Sequence, residues 1–217
     1  MRLLRPSGFD EFVRWYLCRE RTKRGKMADL DGVAADVLAK EMRQFHPAKL
    51  RPWFERGRWN IISLDGMQEA MTLVCVDSWE TRRNRLVQES GPNNRLARSV
   101  IAAARESGYF DNPDAGASNS VERHYRRDHI QAFRQNWPEF RGQERLVLCS
   151  LNADEKRQNP AGTYYLHDGF GRLLAYLYGI AYEGRPYSPI EAFLAESDSC
   201  GHPPIRTLGT PETIMPP

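Results

Sequence analysis

The residues with the most chemical promise lie in one short stretch, His167-Asp168-Gly169-Phe170-Gly171-Arg172. A carboxylate, two glycines and an arginine stand within five positions. Two glycines let the backbone approach a ligand closely, and an arginine offers a bidentate cation to phosphate or carboxylate. The stretch also sits between two different periodicities. Thr163–Leu166 is β-branched, aromatic and aliphatic, as a half-buried strand prefers. From Phe170 onward, Phe170, Leu173, Leu174, Leu177 and Tyr178 recur at helical spacing, and Gly179 reads as a stop. Residues 167–169 therefore form a turn at a helix N-terminus, where free N–H groups favour an anion.

A second set follows the apolar run Met71–Asp77, which reads as a central strand covered on both faces. Beyond it come Asp77, Glu80, Arg82 and Arg83. In open α/β sheets ligands gather past the carboxyl ends of strands, so these residues are site candidates by position. An ordinary surface turn with ion pairs explains them as well. His124 and His129 are five apart, which does not place two imidazoles on one helical face, and no metal site is expected.

Other elements must hold these groups in place. Phe9–Arg21 and Asp31–Phe45 have apolar stripes of helical period. The basic Arg21–Lys26 run between them reads as an exposed helix end. Trp53 and Trp59, interleaved with arginines, either stack on a base or pack this segment on a core. Asn60–Leu64 is a short strand candidate. Asn94–Tyr109 and Val121–Asn136 read as helices, with a loop between them. Arg145–Leu151 reads as a second strong strand, and a polar link joins it to Tyr164-Tyr165 as an antiparallel pair. Ile190–Ala195 is a last strand or short helix, and an irregular tail follows from 197.

Composition sets outer limits. The 217 residues carry 31 Lys and Arg against 28 Asp and Glu, a net charge of +3 that does not select for nucleic acid. The four cysteines are scattered without a CxxC pair, which fits a reducing cytoplasm. No run reaches the ~20 apolar residues of a membrane span, and the N-terminus lacks a signal-peptide core.

The order strand, polar end, helix, strand, antiparallel strand, Asp-Gly-x-x-Arg, helix resembles the ParB/sulfiredoxin superfamily over about residues 70–196, with an insertion near 110–143. Residues 1–69 form a mainly helical extension outside that resemblance. The resemblance implies an α+β fold, a mixed sheet with surrounding helices. It implies a nucleotide, most simply ATP with Mg²⁺, held by Gly169, Phe170, Gly171 and Arg172, with Arg82 nearby. Glu80 matches the acidic base of the free-serine kinase branch, and Asp168 would assist a metal or orient the acceptor. Without a ligand, Glu80 is a helix-start acid and Asp168 closes an Asx turn. Phe170 and Gly171 replace the Cys-His or His-His of better-known members, so sulfiredoxin chemistry is not expected, and His167 is the nearest substitute. No helix-turn-helix module follows, so nucleic acid is not the expected partner. The expected activity is phosphoryl transfer to a small metabolite. The alternatives are a biosynthetic enzyme using His, carboxylate or metal catalysis, and a non-catalytic nucleotide- or nucleic-acid-binding module. Oligomeric state is open.

Overall fold

Segments 58–64, 146–149 and 190–196 are rich in apolar residues, and their near-continuous burial marks strands covered on both faces. A computed structural model describes residues 1–26, 29–75, 98–99 and 139–197. It places these three runs side by side in the middle of one mixed sheet. The strands are β1 (Arg2–Ser7), β2 (Arg58–Leu64), β3 (Val74–Cys75), β4 (Arg98–Ser99), β5 (Leu146–Cys149), β6 (Tyr165–Asp168) and β7 (Ile190–Glu196). Their order is β1-β2-β7-β5-β6-β3-β4, parallel at β7/β5 and β6/β3 and antiparallel elsewhere.

Helices cover both faces. Helix α1 (Phe9–Lys23) and α2 (Ala35–Phe45) lie on one side. There Phe12, Trp15, Leu38 and Met42 pack with Trp59, Ile61, Val147 and Phe193. Phe12 stacks on Trp59 with ring centroids 4.5 Å apart. Helices α3 (Met67–Met71) and α5 (Phe170–Glu183) serve the other side. There Leu173, Tyr176 and Leu177 pack on Ile62, Leu146, Leu148 and Leu194. Val147 faces one layer while Leu146 and Leu148 face the other, as the two-residue strand period requires. Helix α4 (Ala153–Gln158) lies in the β5–β6 link. Asn152 caps it by accepting from Glu155 N at 2.8 Å, while Glu155 accepts from Asn152 N at 2.8 Å. None of the described helices is long and apolar enough to cross a membrane.

The first 69 residues hold the two long helices expected there and also supply two strands of the sheet. Trp53 and Trp59 pack inward. Trp59 is buried, and the Trp53 ring meets the Phe54 ring edge-on.

Several boundaries differ from the sequence reading. The run from Met71 does not start as a strand. Gly66 starts α3, whose Glu69 carboxylate accepts from Asp65 N at 2.7 Å, and helix formers continue to Met71. The strand begins only at Val74, beside edge strand β4. A continuous apolar run does not itself separate helix from strand. Arg98–Ser99, inside the expected Asn94–Tyr109 helix, is strand β4, paired antiparallel with β3. Gly179 does not end the last helix. It runs four residues further, and Gly184, at φ 65°, ends it. One interior glycine costs about 1 kcal/mol, less than the burial of Tyr176 and Leu177 contributes.

Candidate functional site

Strand β6 runs through Asp168 and passes directly into α5, with Gly169 as the single hinge at φ 105° and ψ 14°. The turn is thus shorter than 167–169, because Asp168 still pairs with Val147 of β5. Gly169 is required on two counts. Its φ is one that side chains rarely adopt, and a Cβ there would press into Leu146 Cδ2 and lie 3.1 Å from Arg172 Nη2.

Three cations converge on the Asp168 carboxylate. Arg19 Nη1 of α1 donates to Oδ2 at 2.7 Å, Lys49 Nζ donates to Oδ1 at 2.9 Å, and Arg172 Nη2 donates to Oδ2 at 3.3 Å. Helices α1 and α5 lie on opposite faces of the sheet, so this carboxylate joins both layers at the sheet's end. Burial alone would push the Asp168 carboxyl up. The charges of Lys49, Arg19 and Arg172 outweigh it and hold the group far below the ordinary carboxylate range.

Arg172 is buried, and its guanidinium is turned inward. Nη1 donates to Glu144 O at 2.6 Å and Glu144 Oε2 at 2.9 Å, and Nη2 also reaches Arg145 O at 3.1 Å. Trp15 Nε1 donates to Gly142 O at 2.7 Å, which fixes the turn that presents Glu144. The expected phosphate-gripping Arg172 is therefore a brace that ties α5 to the start of β5. Arg19 differs. It is 7% exposed, and its buried Nε has no hydrogen-bond partner among the described residues.

His167 points to the α1 side. Its Nε2 lies 3.0 Å from Lys49 O, and since a carbonyl only accepts, Nε2 carries the proton. The ring meets Phe54 edge-on at 5.0 Å. Burial first, then the Lys49 and Arg51 charges, push the imidazole down to about 4, against the Lys49 carbonyl and Asp168. Arg51 lies over Tyr165, 4.4 Å from the ring centroid, and donates to Glu155 Oε1 at 2.9 Å. Residues 49–51 thus form a strap anchored on Tyr165, His167 and Asp168 of β6.

A pH dependence follows from His167. Its folded pKa of about 4 lies below the ordinary 6.5. As pH falls through that interval the unfolded chain takes the proton first, so stability declines. The loss should be on the order of 2–3 kcal/mol between pH 7 and pH 4. His46, whose pKa burial also lowers, adds a change of the same sign. Urea denaturation at stepped pH reads this directly. His167→Asn should flatten most of the slope, and an unchanged slope would show that another group carries it.

Among the sequence candidates, His167, Asp168, Gly169 and Arg172 meet at this corner, and Phe170 and Gly171 open α5 above it. Asp77, Glu80, Arg82, Arg83, His124 and His129 lie outside the described residues. Sequence reasoning missed Arg19, Lys49 and Glu144. Arg19 carried a usable signal: it continues the Phe12, Trp15, Tyr16 stripe of α1, and a cation on a buried stripe needs an acid. Lys49 and Glu144 carried none. Among the described residues no group of three or more His, Cys, Asp or Glu side chains is placed to hold a metal ion. Compared with protein-family models, with curated proteins and with solved structures, this chain shows no match.

Proposed function

We propose that the chain binds a nucleotide by its phosphates at the start of α5, on a ParB/sulfiredoxin-like sheet, and transfers a phosphoryl group to a small metabolite. One observation carries this reading: at a helix N-terminus, three cations share a single carboxylate, and the buried Nε of one of them, Arg19, has no acceptor among the described residues. A phosphate oxygen is the acceptor such a corner lacks. The backbone of Gly169, Phe170 and Gly171 would face the anion. Lys49, partly exposed, is the side chain able to turn from Asp168 to a phosphate. Asp168 and Arg172 position the corner and do not grip the ligand.

The bound nucleotide would supply the phosphoryl group, and Mg²⁺ would offset its charge. The acceptor's base is not at this corner. A carboxylate pinned by three cations is a weak base, and so is a buried imidazole with a pKa of about 4. Glu80 remains the candidate base by position in the sequence. The same observation favours a second reading, a nucleotide-binding module without catalysis.

Calorimetric titration with ATP and Mg²⁺ tests the site. Lys49→Ala should weaken binding about tenfold, the loss of one charge-assisted contact. Equal affinity in the two proteins would remove Lys49 from the site. Phosphoryl transfer to candidate acceptors then separates the enzyme from the module.

A further inference from the structure

We propose a second anion subsite, contiguous with the first, built by the last turn of α1 and the Pro47–Lys49 turn. Its ligand carries two or more linked anionic groups. The proposal rests on the reading of the α5 start as the first subsite.

Arg19 and Lys23 are four apart on α1, so they share a face about 6 Å apart along the axis. Arg19 reaches Asp168, and Lys23 stands one turn further out, its side chain 51% exposed. The Pro47–Lys49 turn closes the other side. The His46 ring, just before it, meets the Tyr16 ring of α1 edge-on at 5.4 Å, and His46 feels the charges of both Arg24 and Lys49. Arg19 and Lys49 both reach Asp168, Lys23 stands one turn beyond Arg19 on α1, and Arg24 caps that helix, which puts the four cations at one end of the molecule's α1 layer.

Two acids oppose these four cations, Asp168 and Glu20, the latter paired with Lys23 at 2.9 Å. Arg21 adds nothing to the excess, because Glu41 neutralises it at 2.7 Å. The excess starts at Arg19 Nε, which has no partner among the described residues, and extends to the exposed Lys23 and Arg24. A single phosphate at α5 uses only the inner end of this row. A chain of phosphates, or a ligand with a second phosphate or carboxylate one helical turn away, uses both ends.

Inorganic phosphate, pyrophosphate and tripolyphosphate, titrated calorimetrically into the full chain at low ionic strength, provide the test. Affinity should rise about tenfold or more from phosphate to tripolyphosphate, as one added cation contact implies. The double variant Lys23→Ala/Arg24→Ala should lose that rise. Both side chains are exposed, so the variant keeps its fold, and circular dichroism checks this. Equal affinities across the series, or a rise that survives in the double variant, would overturn the second subsite alone. Failure of the wild-type chain to take up any of the three would overturn the α5 reading as well.

Discussion

Asp168→Asn should destabilise the protein by about 3–5 kcal/mol, the usual loss when one partner of a buried ion pair is removed. The site is unforgiving for a stated reason. Asn keeps the shape of the side chain and removes the charge, leaving Arg19, Lys49 and Arg172 crowded around a neutral amide. Arg19 and Arg172 are too buried to regain water, and among the described residues Asp168 is the acid with which Arg19 forms its ion pair. The variant should show its loss in urea denaturation at neutral pH. It should also recover more stability from added phosphate than the wild type does, because an anion can replace the missing charge. A variant as stable as the wild type would mean that the three cations are adequately solvated without Asp168.

Gly169→Ala should cost about 2–4 kcal/mol, from backbone strain at a left-handed φ and from overpacking together. The added methyl meets Leu146, a side chain fixed in the core between β5 and α5, so the neighbour does not yield as a surface side chain would. It also crowds Arg172 Nη2, the atom that reaches Asp168. The expected readout is a lower denaturation midpoint, with the near-ultraviolet aromatic signal perturbed through Tyr176 and Phe140, which meet edge-on at 4.9 Å in that layer. A midpoint equal to that of the wild type would contradict the left-handed hinge.

The strand-to-helix corner was legible because three local signals agree there: the end of a β-branched run, glycine at the break, and a helical stripe from Phe170. Strands β2, β5 and β7 were legible as short apolar runs between turn signals. Strand β1 was not, since Arg2, Arg5 and Pro6 interrupt any alternation. Edge strands tolerate this pattern, because one side needs no hydrogen-bond partner. The direction of Arg172 was not legible either. An arginine after a glycine turn looks the same whether it grips a ligand or the carbonyls of Glu144 and Arg145, and the choice depends on residues 27–28 positions away. The site was similarly hidden in its partners. Arg19 and Lys49 reach Asp168 across more than a hundred residues of chain, so no spacing rule joins them.

If the start of α5 binds phosphate as proposed, a nucleotide should stabilise the protein. The most direct measurement is the melting temperature of the full chain with ATP, ADP, CTP or GTP, with and without Mg²⁺. At a hundredfold excess over Kd, a ligand specific for the folded state adds about 2.7 kcal/mol, or roughly 5–10 °C in a chain of this size. At least one nucleotide should produce that rise, and Lys49→Ala should reduce it. Unchanged melting with all four, at concentrations that saturate known nucleotide sites, would contradict the phosphate site at the start of α5.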